Sequence, residues 1–197
     1  GEIVLSYNLD GVKELKLPRD VYPEIFSGKI TKWSDPKIAT ANPGVKLPDQ
    51  NITVVARSDS SGTTFVFTGH LSAVSPEFKQ AVGHGTTAQW PTSFVKAPKN
   101  DGVTATIKQT PGSIGYIEYT YAMATKQPMA VLQNKAGKYV AAGDAAGMAA
   151  LASAEFPSKM LPGTDVPDLR VWVSDPAGEK AYPIATFTWM LFYKDQD

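Results

Sequence analysis

Residues 57–64, Arg-Ser-Asp-Ser-Ser-Gly-Thr-Thr, place one guanidinium next to a glycine and several hydroxyl groups. The planar fork of Arg57 can hold two oxygens of a tetrahedral anion, and the hydroxyls can donate to the others. Gly62 lets the backbone come close to a ligand because it carries no side chain. These residue types, so closely spaced, indicate an anion-binding turn.

The flanking residues predict a strand before this turn and a helix after it. Residues 51–57 are β-branched and apolar, and Phe65, Phe67, Leu71 and Val74 form an apolar stripe at helical spacing. The first backbone N–H groups of a helix lack intrahelical acceptors and carry partial positive charge. Ligands of open α/β sheets collect at the carboxyl ends of the strands. The sequence therefore predicts an anion site where this strand meets the helix.

A simpler interpretation of the same residues is a capped helix without a ligand. Asp59 or Ser60 would cap the helix, and Arg57 would form a surface ion pair. The segment is not a Walker loop, a Gly-x-Gly-x-x-Gly turn or a Gly-x-Ser-x-Gly elbow. The residues alone leave the two interpretations open.

The pattern Arg-x-Asp-x-Ser-Gly-Thr-x-Phe at positions 57–65 is similar to the signature of the phosphate-binding proteins of ABC uptake systems. Residues 28–33, Gly-Lys-Ile-Thr-Lys-Trp, and residues 111–119, Pro-Gly-Ser-Ile-Gly-Tyr-Ile-Glu-Tyr, also resemble that family. The likeness extends over residues 3–194, which is nearly the whole chain.

The resemblance implies a type II periplasmic-binding-protein fold, in which phosphate lies between two lobes. It implies Arg57 as the charge partner of phosphate, Ser61 and Thr63 as hydroxyl and backbone donors, and Gly62 as a backbone donor. Asp59 would orient Arg57 and temper its charge. The resemblance implies no catalytic residue, no metal and no cofactor.

Several parts of the family's first lobe are absent from this sequence: a Gly-Ala-Thr-Phe-Pro loop, a further Ser, and an Asp that accepts a proton from phosphate. The chain therefore resembles the second lobe alone, a single domain over residues 1–197 with hinge-like strands near 3–8 and 186–194. Such a half-site leaves the anion exposed to water, where each contact contributes less. We expect weak binding and poor discrimination between phosphate and sulfate.

The resemblance also implies partners: inorganic phosphate, the membrane subunits of an ABC transporter and the missing first lobe. The location implied is periplasmic or extracellular. Two other functions are considered, a scaffold or interaction protein that has lost high-affinity ligand binding, and a phosphatase using Ser61 as nucleophile.

Composition excludes some classes of function. The 197 residues carry no net charge, so nothing indicates a nucleic-acid partner. The absence of cysteine excludes disulfides and thiolate metal sites. The two histidines, His70 and His84, lack metal-ligand spacing, and we expect His70 on a helix surface. No apolar run reaches the roughly 18 to 20 residues of a membrane span.

Alternating strand and helix patterns predict an α/β domain with one doubly wound, mostly parallel sheet and helices on both faces. The predicted helices begin near 21, 35, 62, 75, 100, 119 and 144, with polar caps at Asp35, Ser75 and Asn100. The predicted strands cover 3–8, 51–57, 113–118, a hairpin over 129–140, and 183–193.

Overall fold

The computed structural model describes residues 1–190. Strands and helices alternate along most of this range. They are β1 (Ile3–Asn8), β2 (Lys16–Leu17), α1 (Val21–Phe26), α2 (Pro36–Ala41), β3 (Thr53–Arg57), α3 (Gly62–Val74), α4 (Pro76–Ala81), β4 (Val95–Ala97), α5 (Lys99–Gln109), β5 (Ser113–Glu118), α6 (Tyr119–Thr125), β6 (Val131–Gln133), β7 (Tyr139–Val140) and α7 (Asp144–Leu151).

The main sheet has the strand order β1-β5-β3-β4. Strand β3 pairs in parallel with both β4 and β5, while β1 runs antiparallel to β5. The predicted α/β class with a mostly parallel sheet is therefore confirmed. A second sheet, β2-β6-β7, was not predicted as a sheet, although its β6–β7 hairpin was.

Helices cover both faces of the main sheet, as predicted. Neighbouring residues of a strand point to opposite faces, and Gly115 and Tyr116 of β5 show which helices lie there. A methyl group at Gly115 would lie 2.9 Å from Ile107 and 3.2 Å from Val103, both on α5. On the other face, the Tyr116 ring stacks on Phe67 of α3 with 4.3 Å between ring centroids.

Two predicted helix starts have the expected caps. The Asp35 carboxylate accepts the N–H of Lys37 at the start of α2, and the Ser75 hydroxyl accepts the N–H of Phe78 at the start of α4. A proline follows each cap at the first helical position, where its missing N–H costs nothing. Local sequence chemistry therefore fixes both boundaries.

The predicted cap at Asn100 was wrong. Helix α5 begins one residue earlier, at Lys99, with Pro98 in the cap position and no side-chain cap hydrogen bond. The Asn100 side chain is instead hydrogen-bonded to Glu118 across the sheet edge, which removes it from capping.

The predicted strand over 183–193 is not formed in its described part, and residues 191–193 lie outside the described residues. Only Ala185 makes a β-bridge, with Glu2. Backbone hydrogen bonds from this segment to other parts of the chain reach only Gly1 and Ile3. Its aromatic side chains pack elsewhere, Phe187 against Phe156 and Trp189 against Trp172.

His70 is fully buried, so its predicted place on a helix surface was wrong. Its Nε2 lies 2.8 Å from the Tyr22 hydroxyl, and its Nδ1 donates to the Ser174 carbonyl at 2.8 Å. Both ring nitrogens have partners, which makes the burial of this polar ring tolerable. Burial lowers the pKa of His70 to about 4, so the ring is neutral near pH 7.

Within residues 1–190 no helix has both the length and the apolar character needed to cross a bilayer. The longest, α3, has 13 residues.

Candidate functional site

The carboxyl ends of three parallel-paired strands meet at one edge of the main sheet. Strand β3 ends at Arg57, β5 ends at Glu118, and β4 ends at Ala97 just before α5. Helix α3 begins at Gly62, immediately after the turn that follows β3. The predicted site residues therefore lie at the edge where α/β sheets bind ligands.

Arg57 is held in a fixed plane by Asp59. Its Nε and Nη2 donate to the two Asp59 carboxylate oxygens at 2.8 and 2.7 Å, and the Arg57 side chain is only 8% exposed. Asp59 also accepts the N–H of Lys99 at 3.0 Å. These bonds raise the pKa of Arg57 and hold the pKa of Asp59 well below its usual range. Asp59 thus holds the guanidinium of Arg57 in one orientation, and the role of the pair toward a bound anion stays a prediction.

One nitrogen of this guanidinium has no partner. Nη1 of Arg57 is buried and makes no hydrogen bond within residues 1–190. Buried polar groups nearly always have partners, so an orphaned donor on a charged side chain calls for an explanation. Arg57 is among the residues that line the cavity in front of α3.

The first turn of α3 supplies further donors. The Ser61 hydroxyl oxygen accepts the N–H of Thr64 at 3.2 Å, which leaves its hydrogen available to another group. The backbone N–H of Ser61 is taken by the Thr86 carbonyl at 2.9 Å, so of the two predicted Ser61 donors only the hydroxyl stays open. The N–H groups of Gly62 and Thr63 precede the first intrahelical bond and are free to hold an anion.

Thr63 makes a contact that was not predicted. Its hydroxyl donates to Oε1 of Glu118 at 3.0 Å. Asn100 donates to the same oxygen at 3.1 Å, and its own side-chain oxygen accepts the N–H of Glu118. The signal for Glu118 in the sequence is its place as the last residue of a predicted strand, since ligands collect at strand ends. Its position beside Arg57 comes from the pairing of β5 with β3.

Tyr116 ties the end of β3 to the start of α3. Its hydroxyl accepts the N–H of Arg57 at 3.1 Å and shares a 2.7 Å hydrogen bond with the Thr64 hydroxyl. Burial raises the pKa of Tyr116 to about 12, so the hydroxyl keeps its proton and the link holds at neutral pH.

A cavity of about 1210 Å³ lies at this edge of the sheet, and Arg57, Thr63 and Glu118 are among the residues that line it. Residues 60–63 and Arg57 form one wall, and Met148, Trp172 and Trp189 lie across from them. The charged side chains in its lining are Arg57, Glu2, Glu118 and Asp144. Because Asp59 already balances Arg57, an anion here must be held by directed N–H and O–H groups rather than by net positive charge.

The contacts of Ser61 bear on whether it could act as a nucleophile. Within residues 1–190, no basic side chain is hydrogen-bonded to Ser61, whose oxygen only accepts the N–H of Thr64. A serine nucleophile needs an adjacent base. The same range contains no group of three His, Asp or Glu side chains placed to hold a metal ion.

A family model described as a PBP superfamily domain matches residues 1–197. The Phosphate-binding protein PstS of Xylella fastidiosa (strain 9a5c) is 40% identical over 196 residues, covering 98% of this chain and 52% of that protein. The protein of the same name from Methanocaldococcus jannaschii is 40% identical over 205 residues, covering 100% of this chain and 52% of that protein. The chain spans about half the length of these relatives.

Solved structures show the same fold. A crystal structure of a DING protein superposes with a TM-score of 0.63 at 22% identity, covering 93% of this chain and 54% of that chain. A high affinity periplasmic phosphate-binding protein, PfluDING, bound with phosphate, gives a TM-score of 0.60 at 23% identity, with 93% and 53% covered.

Proposed function

The chain belongs to the PBP superfamily, and from this premise we propose that it binds inorganic phosphate as one lobe of the substrate-binding component of an ABC phosphate uptake system. The relatives named for phosphate binding support phosphate as the ligand, since the similarity covers nearly all of this chain. The geometry supports the same ligand, because its donors converge where a tetrahedral anion would meet a helix start.

The observation that carries the proposal is the buried, partly unpartnered guanidinium of Arg57. Asp59 occupies Nε and Nη2, while Nη1 is left without an acceptor beside the first turn of α3. A phosphate oxygen would satisfy Nη1, and other oxygens would accept from Gly62, Thr63 and the Ser61 hydroxyl. Each phosphate oxygen would supply an acceptor to a donor that has none among residues 1–190.

The proposed role is binding without catalysis. Ser61 would donate a hydrogen bond to phosphate and would not attack it, since no base activates it. A scaffold that has lost its ligand would have no reason to keep a buried Arg57 with an open donor. The scaffold alternative predicts no effect of Arg57 on phosphate affinity.

The larger assembly is also part of the proposal. A second lobe, corresponding to the other half of the relatives' length, would close over the cavity, with hinges near residues 3–8 and 186–194. The complete protein would deliver phosphate to ABC transporter membrane subunits from the periplasm or cell surface. In calorimetry, a protein that contains both lobes should bind phosphate about 100-fold more tightly than residues 1–197, because enclosure strengthens each contact. Equal affinities would contradict the two-lobe site.

The central experiment is calorimetric titration of the chain with phosphate, comparing Arg57→Ala with Arg170→Ala. A hydrogen bond to a charged group contributes about 1.5 to 3 kcal/mol, so Arg57→Ala should weaken phosphate binding about 10- to 100-fold.

Arg170 is a matched control. It forms the same type of two-bond pair with an aspartate two positions away, Asp168, at 2.8 and 3.0 Å, but its side chain is exposed and does not line the cavity. Arg170→Ala should leave phosphate affinity unchanged. Equal effects of the two substitutions, or no binding by the unmodified chain, would overturn the proposed function.

A further inference from the structure

We infer that Glu118 is a specificity-determining residue, which fixes the direction of the Thr63 hydroxyl so that the site prefers tetrahedral oxyanions that carry a proton. The inference rests on the proposed phosphate site and adds a residue and a selection rule to it. It depends on three hydrogen bonds at the carboxyl end of β5.

The first step is the direction of the bond between Thr63 and Glu118. The two oxygens are 3.0 Å apart, and an ionised carboxylate can only accept hydrogen bonds. The single hydroxyl hydrogen of Thr63 therefore belongs to Glu118. The Thr63 oxygen then offers only lone pairs to anything bound at the start of α3.

The second step is that Glu118 is held in place. Asn100 donates to Oε1 of Glu118 at 3.1 Å and accepts the N–H of Glu118 at 3.3 Å. Asn100 itself is buried in the first turn of α5. This two-way contact fixes the carboxylate beside Thr63, so the hydroxyl cannot easily turn its hydrogen toward a ligand.

The third step concerns the ligand. Phosphate and arsenate carry at least one proton on oxygen near neutral pH, whereas sulfate and selenate carry none. A protonated oxygen can donate to the lone pairs of Thr63, while a bare anionic oxygen placed there meets another acceptor and the nearby charge of Glu118. The mismatch costs binding free energy because an acceptor is left facing an acceptor.

This inference revises the expectation of poor discrimination between phosphate and sulfate. That expectation considered only the aspartate of the absent lobe, whereas Glu118 and Thr63 read a proton from within residues 1–197. Discrimination should be incomplete, since Glu118 is exposed on its other side, but it should be measurable.

The test is a set of calorimetric titrations with four anions in two pairs of similar size: phosphate with sulfate, and arsenate with selenate. The unmodified chain should bind the protonated member of each pair more tightly. In Glu118→Gln the amide can donate to Thr63 and release its hydrogen toward the ligand. The ratio of affinities within each pair should then fall about tenfold, mainly because sulfate and selenate bind better.

Two further variants distinguish this role of Glu118 from a non-specific change in anion affinity. Thr63→Val removes the lone pairs and should lower the same ratio, and the double variant should show no further loss, because both substitutions break one interaction. Asp144→Asn removes another carboxylate from the cavity lining, one with no bond to Thr63, and should raise the affinities of all four anions together without changing either ratio.

An unchanged ratio in Glu118→Gln, additive effects in the double variant, or the same change in Asp144→Asn would each overturn this inference while leaving phosphate binding in place. Failure of the unmodified chain to bind phosphate would overturn the proposed function and this inference with it. If Glu118→Gln does not fold, Thr63→Val alone must lower both ratios, and an unchanged ratio there would overturn the inference.

Discussion

Two parts of the molecule are organised differently: the body, residues 1–151, and the C-terminal segment, residues 152–190. The body contains all the helices and strands of the described chain and nearly all of the main hydrophobic cluster, to which the segment adds Tyr182 and Ile184. The segment has only isolated β-bridges and exposes large apolar side chains. These are Phe156, Met160, Val166, Leu169, Trp172 and Met190.

The comparison teaches how the two walls of the cavity are held. The anion donors belong to the body, where backbone pairing fixes them. Trp172 and Trp189 of the facing wall belong to the segment. The segment is attached by several polar anchors and by Tyr182 and Ile184, which are buried in the main hydrophobic cluster. The principal anchors are Asn134, His70 and the ion pair between Arg19 and Asp175.

The largest expected effect comes from the Asn134 anchor. Its buried side-chain nitrogen lies 3.0 to 3.1 Å from three segment carbonyls, those of Gly178, Glu179 and Ala181. Asn134→Ala leaves these buried groups short of a donor, so the free energy of unfolding should fall by about 2 to 4 kcal/mol. Limited proteolysis should cut residues 152–181 faster than the body.

Asn51 provides the control, since it is exposed and its side chain makes no hydrogen bond within residues 1–190. Asn51→Ala should change neither the unfolding free energy nor the cleavage rate. If Asn134→Ala accelerates cleavage of body and segment equally, the two parts unfold together and the comparison fails.

The second prediction concerns pH. The pKa of His70 is about 4 in the folded protein and about 6.5 in the unfolded chain, so the unfolded chain takes up a proton first as pH falls. The stabilisation by neutral His70 is complete above pH 6.5 and is lost as pH falls toward 4. The loss should approach about 3 kcal/mol.

Chemical denaturation at pH 7 and at pH 4 would measure this loss of unfolding free energy. Subtracting the profile of His70→Gln from that of the unmodified chain removes the contribution of carboxylates shared by both. The same substitution at the exposed His84 should leave the profile unchanged. Identical pH profiles for His70→Gln and the unmodified chain would show that His70 does not anchor the segment through its neutral ring.

A third prediction tests the close packing of the body. A methyl group at Gly115 would lie 2.8 Å from the Val55 carbonyl oxygen and 2.9 Å from Cδ1 of Ile107. Gly115→Ala should therefore lower the free energy of unfolding by about 1 to 3 kcal/mol. Ile107→Val removes the crowded Cδ1. It should therefore lower the free energy of unfolding less in the Gly115→Ala variant than in the unmodified chain. A fully additive double variant would contradict the crowding.

The smallest expected effect is a gain. Lys126 ends α6 with φ of 54°, a left-handed conformation that glycine adopts without strain. Lys126→Gly should raise the free energy of unfolding by about 0.5 to 1 kcal/mol in denaturant titrations. Lys126→Ala removes the same side chain without relieving the backbone. An equal gain from alanine would attribute the effect to the lysine side chain.

Features set by neighbouring residues were predicted well from the sequence. The caps at Asp35 and Ser75 need only a polar side chain followed by proline, and β3 needs only its own β-branched run. Strand β2 has two residues, too few to carry a pattern, and forms because β6 lies beside it. The burial of His70 depends on Tyr22 and Ser174, which are distant in sequence.

The site divides in the same way. The strand, turn and helix around 57–64 follow from local sequence, and the family resemblance implied the contact between Asp59 and Arg57. The place of Glu118 follows from the parallel pairing of β3 with β5. The contacts of Arg57, Ser61, Gly62 and Thr63 with phosphate stay predictions. The backbone N–H of Ser61 is occupied by the carbonyl of Thr86, which lies on a separate loop. The number of free donors in the turn therefore cannot be found from its residue types alone.

The contact between Gly1 and Thr186 has a practical consequence for protein engineering. The backbone N–H of Thr186 donates to the carbonyl of Gly1 at 2.9 Å, and the nitrogen of Gly1 lies 2.6 Å from the carbonyl oxygen of Thr186. The two ends of the range 1–186 therefore lie next to each other. Such a unit can be inserted into a surface turn of a host protein with little strain, and a fluorescent host would then provide an optical signal with which to measure the proposed phosphate binding.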